Sequence, residues 1–164
     1  MFREMRRTRQ QLSQEASEAI LHRGSSGVLA LLGDGGYPYA VPLSYVYHDG
    51  KLYFHGAKSG HKMDAVRANP KASFCVIDQD QIVAEEYTTY FRSVIAFGQI
   101  RILEDEGELR RGIEVLALKY HPGDSAQHRN QAIDREFSVM GMLEMTIEHL
   151  TGKEAIELVR QHRS

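Results

Sequence analysis

Residues 36–62 read GYPYAVPLSYVYHDGKLYFHGAKSGHK, and this stretch decides the fold. Its centre, Asp49-Gly50, lies between two aromatic-rich runs, which is the strongest short-range signal for a two-residue type I′ turn. We therefore predict a β-hairpin in which three residue pairs share one face. These pairs are His48–Lys51, Val46–Tyr53 and Ser44–His55. Ser44 and His55 would then lie side by side at the open end of the hairpin.

The hairpin leads directly into Ser59-Gly60-His61-Lys62, which has the composition of an anion-binding helix start. The first N–H groups of a helix have no partner within the helix, and they attract negative charge. Gly60 places no side chain in the way of an anion, while His61 and Lys62 add a donor and a positive charge. These four residues alone also fit a plain capped helix with a surface lysine.

Length and composition indicate one domain, residues 1–164, with an ordinary globular core. The formal charge of −2 gives no reason to expect nucleic acid as a partner. One cysteine excludes a disulfide framework, and no HxxxH or HExxH lies on a predicted helix, so we expect no metal site. The sequence shows no signal-peptide pattern and no apolar run near the ~18 residues of a membrane span. We expect a cytoplasmic protein without a membrane partner.

Hydrophobic periodicity predicts a mainly β fold with flanking helices. Besides the hairpin, strands are predicted at 28–32, 72–78, 88–103 and 137–150, and helices at 13–22, 60–68, 106–120 and 153–161. The segment 79–87 is polar and is predicted to be a loop, and 121–135 is a connection of unassigned form. Gly98 predicts a bulge or bend within its strand. About six mostly antiparallel strands indicate a small closed or split barrel.

His55 is the strongest candidate for proton chemistry. An imidazole can donate a proton near neutral pH, and a strand end that faces a ligand suits that role. Ser44, its predicted neighbour, would orient the ring. The structural alternative is a histidine that is hydrogen-bonded to Ser44 and has no chemical role.

Five segments that span nearly the whole chain in order resemble one family. They are FREMRR (2–7), the hairpin stretch 36–62, SFCV (73–76), TTYFRSVIAFG (88–98) and TGKEAIEL (151–158). The chain resembles the pyridoxamine 5′-phosphate oxidase-like flavoproteins. FREMRR and YFRSVIAFG make it more similar to the nitroimidazole-resistance (nitroimidazole reductase) branch of that superfamily.

The resemblance implies a six-stranded antiparallel split β-barrel that forms a homodimer with two FMN sites at the subunit interface, FAD being the alternative nucleotide. The residues implied to line the flavin ring and its ribityl chain are Val41, Pro42, Leu43, Ser44, His55, Gly56 and Ala57. The implied phosphate-binding residues are His61 and Lys62. Ser93 matches a position that reaches the flavin from the barrel, and Arg92 either assists there or points outward.

The chain departs from the oxidase pattern at two places. The oxidase clamp is arginine followed by lysine, whereas this chain has His61-Lys62. The substrate-phosphate residues of the oxidase have no match in 121–137. The resemblance therefore favours an FMN-dependent reductase of a small heteroaromatic compound, such as a nitroimidazole, over vitamin B6 oxidation. Two alternatives remain: a flavin-binding carrier, sensor or reductase of another substrate, and a split barrel that holds haem, a deazaflavin or no ligand.

Overall fold

The computed structural model describes residues 1–162, which form one antiparallel sheet flanked by five α-helices. The strands are β1 (Ser26–Leu32), β2 (Pro38–Ser44), β3 (Val46–His48), β4 (Lys51–Ala57), β5 (Lys71–Val83), β6 (Thr88–Ile102) and β7 (Met140–Glu154). The helices are α1 (Gln14–Arg23), α2 (His61–Ala68), α3 (Glu106–Tyr120), α4 (Ala126–Glu136) and α5 (Ile156–Gln161). The predicted mainly β architecture with flanking helices is confirmed.

The order of the strands is β2-β1-β5-β6-β7-β4-β3, so β2 and β3 lie at opposite ends of the sheet. In the chain, however, only Tyr45 separates these two strands. The two ends of the sheet must therefore approach each other at Tyr45, which curls the sheet into a split barrel without a closing ladder. The same break explains why the six predicted strands appear as seven segments.

Several contacts fix the corner at Tyr45. The buried Tyr45 hydroxyl donates to the carbonyl of Leu21 over 2.7 Å, and its backbone N–H donates to the hydroxyl of Tyr120 over 3.1 Å. The ammonium group of Lys119 donates to the Tyr45 carbonyl over 2.9 Å and lies 4.0 Å from the centre of the Tyr45 ring. Helix α3 is thus attached by its last turn to the point where the chain changes neighbours in the sheet.

Local sequence signals account for most of the helix boundaries. The Ser13 hydroxyl caps α1, the Asp105 carboxylate caps α3 and the Ser125 hydroxyl caps α4, each by accepting a backbone N–H of the first turn. The predicted helices at 13–22, 60–68 and 106–120 are confirmed. The closing helix begins later than predicted, at Ile156, because β7 continues to Glu154. No helix among residues 1–162 is long and apolar enough to span a membrane.

Two predictions about loops were wrong or incomplete. Residues 79–83 are not a loop, because β5 continues to Val83 and pairs with β6 up to Thr88. The segment 121–135, for which the sequence predicts no definite form, contains most of α4. Ile133 is the only buried residue of this helix, so the sequence of the helix shows little apolar periodicity. The predicted bulge at Gly98 is confirmed by a register shift between Phe97 and Gly98. A Cβ atom at Gly98 would lie 2.0 Å from the Thr146 carbonyl oxygen, so the strands pack closely there.

Burial alternates along the central strands, and it separates an inner from an outer face. Phe54 and Phe74 are fully buried in the barrel interior, with their ring centres 5.0 Å apart. A second cluster, which includes Ile113, Ile133 and Met142, packs beneath α3 and α4. The β1-β5-β6 region also exposes apolar side chains, which include Val28, Ile77, Ile95 and Phe97.

Candidate functional site

The predicted hairpin forms, but its register changes at the open end. Asp49 and Gly50 have φ values of 51° and 75°, as a type I′ turn requires. The pairs His48–Lys51 and Val46–Tyr53 are confirmed. The Ser44–His55 pair is wrong, because the chain leaves β4 at Tyr45 and joins β1. Ser44 instead pairs with Ser26, and His55 pairs with Met142 of β7.

Ser44 and His55 nevertheless lie at the same cavity. This cavity has a volume of about 470 Å³, is open to solvent, and lies between the end of β4 and the helices α3 and α4. No hydrogen bond joins the two side chains among the residues that the structure describes. The role of Ser44 in orienting His55 stays a prediction that no direct contact supports.

The environment of His55 favours a neutral imidazole. The side chain remains accessible from the cavity, but partial burial lowers its pKa below the usual 6.5, and the positive charge of Lys62 lowers it further. The Lys62 ammonium group lies against Gly56, the residue that follows His55, so its charge acts on the imidazole. His55 is therefore a hydrogen-bond donor in its neutral form near pH 7.

The start of α2 lacks a side-chain cap. Its N-cap residue, Gly60, has φ 119° and ψ 177°, a conformation that L side chains rarely adopt, and no side chain bonds the first-turn N–H groups. The plain reading of this segment as a capped helix is therefore not supported. Unpaired N–H groups at a helix start are suited to an anion.

Lys62 lies between the helix start and the end of β4. A Cβ atom at Gly56 would lie 2.7 Å from the Lys62 Nζ atom, so the ammonium group rests against bare backbone. Lys62 is half-buried, and burial lowers its pKa. Among residues 1–162 it forms no ion pair. A partly desolvated cation without a counterion is a positioned receptor for an anion.

His61 has a different set of contacts. Its ring stacks on Tyr39 with a centroid separation of 4.1 Å and an interplanar angle of 20°. Its Nε2 atom lies 3.9 Å from a carboxylate oxygen of Asp34. These contacts hold the ring beside β2, and its role as a phosphate donor stays a prediction.

The predicted ring-lining residues on β2 lie on a strand at the end of the sheet. Val41 and Leu43 pack against the barrel core, while Pro42 and Ser44 are exposed. In the sheet, β2 pairs with β1 alone among the described strands, so backbone groups on its other edge are available to a ligand. Gly56 and Ala57 pair with Gly141 and Met140 of β7.

Arg92 and Ser93 are not brought to this site within one chain. The Arg92 guanidinium donates to Asp78 over 3.2 Å and to Glu154 over 3.1 Å. Ser93 pairs with Ile77 on one side and with Lys153 on the other. Neither residue lines the cavity that holds Ser44 and His55, and their roles at the flavin stay predictions.

Sequence reasoning missed the contribution of α4. The cavity residues from the α3–α4 region are Ile113, Leu116, Ala117, Tyr120, His121, Asp124, His128, Arg129, Ala132, Ile133 and Glu136. The cap signal at Ser125 was present, but the helix is too polar for periodicity to identify it. Among residues 1–162, no group of three or more His, Cys, Asp or Glu side chains is arranged to hold a metal ion.

The residues present fit the FMN that the resemblance implies. A phosphate needs unpaired N–H groups and a positive charge, which the start of α2 and Lys62 supply. The missing side chain at Gly56 leaves the space that Lys62 Nζ occupies. The accessible edge of β2 is available to an aromatic ring system, beside the start of α2 and Lys62.

Comparison with known families and solved structures gives matches over most of the chain. A family model described as pyridoxamine 5′-phosphate oxidase matches residues 13–154. No curated protein matches the chain in sequence. An FAD-binding protein from Mesorhizobium loti shares 26% identity over 88% of this chain and 96% of its own, with a TM-score of 0.59.

Two further solved structures share the fold at lower identity. A candidate 5-nitroimidazole antibiotic resistance protein from Bacteroides thetaiotaomicron is 18% identical over 88% of this chain and 86% of its own, with a TM-score of 0.74. An FAD and haem binding protein from Mycobacterium smegmatis is 20% identical over 89% and 73%, with a TM-score of 0.73. At these identities the likeness establishes the split-barrel fold.

Proposed function

Because the chain belongs to the pyridoxamine 5′-phosphate oxidase family, we propose that it is an FMN-dependent oxidoreductase of small heteroaromatic compounds, with nitroimidazoles as the substrate class. FAD is the alternative nucleotide, and we place the enzyme in the cytoplasm. One observation carries the flavin part of the proposal: the half-buried Lys62 has no ion pair among the described residues and lies beside an uncapped helix start. The nitroimidazole part is supported by the resemblance of the sequence and by the fold of the Bacteroides protein.

In this proposal the residues of the chain hold and orient the cofactor. Lys62, the N–H groups after Gly60 and the His61 ring bind the phosphate. The edge of β2 at Val41–Ser44 and the segment His55–Ala57 border the ring system. When bound, the flavin supplies hydride transfer, which the side chains of the protein cannot perform.

His55 is proposed to act on the nitro group. Reduction of a nitro group to a nitroso group consumes one hydride and one proton and releases one water molecule. Because the pKa of His55 is lowered, its neutral imidazole donates a hydrogen bond to the nitro oxygens, where negative charge develops. The protonated form of the ring, which the lowered pKa makes a stronger acid, can transfer its proton to the nitro oxygen and recover one from solvent through the open cavity.

The outer face of the sheet supports the proposed homodimer. Val28, Ile77, Ile95 and Phe97 are between 37% and 64% exposed on adjacent strands. Apolar side chains that are exposed together on adjacent strands are typical of an interface between subunits. A second copy packed on this face would also cover the outer part of β6, where Ser93 lies.

The test of the proposed function uses the purified protein and its absorbance spectrum. FMN is added to saturation, reduced under anaerobic conditions, and then mixed with a 5-nitroimidazole. We expect the oxidised flavin spectrum to return in proportion to the drug added. A flavin that stays reduced would favour the alternative, a flavin-binding carrier or sensor or a reductase of another substrate. A Soret band in the isolated protein would indicate haem instead.

A further inference from the structure

The cavity beside His55 has a wall that the proposed mechanism does not use. Its apolar part is formed by Ile113, Leu116, Ala117, Ile133 and Met140, which would accept the faces of a small flat ring. The opposite side carries polar groups from α4 and from the turn before it. Among these, Arg129 is a largely buried cation.

Arg129 is poorly paired for a buried charge. Its side chain is only 13% exposed, and its Nε atom has no hydrogen-bond partner among the described residues. Its nearest contacts are long: 3.9 Å from Nε to the Glu114 carboxylate, and 3.5 Å from Nη1 to the Asp124 carbonyl oxygen. A guanidinium that is removed from water without close acceptors is costly unless a ligand supplies them.

The neighbouring carboxylate is already engaged. Both oxygens of Asp124 accept from the Nδ1 atom of His128, at 2.9 and 2.8 Å. The pKa of Asp124 is lowered, chiefly by this hydrogen bond. Glu114 is 42% exposed and therefore largely hydrated, and Glu136 lies on the cavity lining without an ion pair to Arg129. The guanidinium therefore lies at the lining of the cavity without a carboxylate at hydrogen-bond distance among the described residues.

We propose that the α3–α4 cavity is a substrate subsite in which Arg129 binds a planar two-oxygen group, a nitro or a carboxylate group, on a small heteroaromatic ring. Both groups present two acceptor oxygens in one plane, and this matches the fork of a guanidinium. The apolar wall contacts the ring, and Arg129 selects its substituent. The inference deepens the proposed function, on which it rests for the nature of the ring, and it makes Arg129 the residue that determines specificity.

The test measures binding without turnover. Oxidised, FMN-saturated protein is titrated calorimetrically, in the absence of any reductant, with 2-methyl-5-nitroimidazole, imidazole-4-carboxylate and 4-methylimidazole. The variants are Arg129→Lys and Arg129→Met, with Arg135→Met as the matched control, because Arg135 is exposed on the same helix and does not line the cavity. A fourth variant, Ala132→Phe, fills the cavity from its wall.

We expect R129M to lose at least about tenfold in affinity for the nitro or carboxylate ligand, R129K to lose less, and R135M to bind as wild type does. The affinity for 4-methylimidazole should be the same in all three variants. A132F should abolish the binding of each ligand. Equal affinities in wild type, R129K and R129M would overturn the role of Arg129. Ligand binding that survives in A132F would overturn the cavity as the subsite.

The outcomes of the binding and reoxidation measurements distinguish a failure of the subsite from a failure of the proposed function. Arg129-dependent binding of the nitro compound, followed by no reoxidation of reduced flavin, would sustain the subsite and contradict the nitroreductase proposal. Arg129-dependent binding of the carboxylate alone would sustain the subsite and identify carboxylates as its ligands. If R129M does not fold, R129K and A132F still decide the outcome, because each keeps the helix and changes one feature of the cavity.

Discussion

The ammonium group of Lys62 lies against the backbone of Gly56, 2.7 Å from the position that a Cβ atom at residue 56 would occupy. This contact joins the end of β4 to the start of α2, two elements that are consecutive in the chain. It also places a positive charge near His55, whose pKa it lowers. The proposed phosphate-binding lysine and the proposed proton donor therefore share one electrostatic environment.

Gly56→Ala should weaken FMN binding by about tenfold while the protein stays folded. The added methyl group displaces the flexible end of Lys62, and part of a charge-assisted hydrogen bond to phosphate is then lost. The measurement is the dissociation constant by quenching of flavin fluorescence. Gly123→Ala is the control, since a Cβ there meets nothing within 4 Å. Unchanged FMN affinity in G56A would mean that the position of Lys62 does not matter.

His55 should titrate below its usual pKa, and Lys62→Met should raise its pKa. Removing the positive charge makes the imidazolium less unfavourable, but burial, the larger cause, remains, so the pKa should not return fully to about 6.5. NMR titration of the imidazole measures this directly, with H55Q to assign the signal. Lys58→Met, which alters an exposed lysine of the same loop, should leave the pKa unchanged. Equal shifts in both variants would contradict the specific proximity of Lys62.

His55→Gln should lower the rate of flavin reoxidation by nitroimidazole about a hundredfold, the scale of a lost positioned acid. The FMN dissociation constant should change less than about threefold, because charge-assisted contacts to the phosphate dominate that affinity. Stopped-flow absorbance under anaerobic conditions measures the rate. Wild-type rates in H55Q would remove His55 from the mechanism, and the Ser44→Ala variant would then be the next to examine.

Ile95→Asp should convert a dimer into monomers. A carboxylate on the apolar outer face would be buried without a partner in the interface, which costs several kcal/mol. Sedimentation velocity measures the oligomeric state, and Leu118→Asp, on the exposed side of α3, is the control. A dimeric I95D would place the interface elsewhere. Monomers that bind FMN as tightly as wild type would contradict a site shared between subunits.

Local signals predicted the hairpin turn and the helix start because each depends on neighbouring residues. Asp49 and Gly50 tolerate positive φ, and Gly60 leaves the first turn of α2 open. The amphipathic pattern of 106–120 likewise predicted α3. These features required no knowledge of distant contacts.

The register at Ser44 and the form of α4 could not be predicted in this way. The prediction of the Ser44–His55 pair was wrong because the partner strand changes at Tyr45: β3 pairs with β4, whereas β2 pairs with β1. This change is fixed by contacts of Tyr45 with Leu21, Lys119 and Tyr120, which are distant in the sequence. Ile133 is the only buried apolar residue of α4, so the apolar pattern of this helix is too sparse to predict it from the sequence. The cavity is formed by residues near the corner at Tyr45 and on α4, so neither the cavity nor the surroundings of Arg129 could be predicted.

The most direct test of the account compares FMN with riboflavin in wild type and Lys62→Ala, with Lys58→Ala as the control. The two ligands differ only in the phosphate, so their affinity ratio isolates the cradle at Lys62. We expect K62A to weaken FMN binding by roughly 10- to 100-fold, because a charge-assisted hydrogen bond is lost, and to leave riboflavin binding nearly unchanged. Equal weakening of both ligands, or of neither, would contradict the assignment of Lys62 to the flavin phosphate.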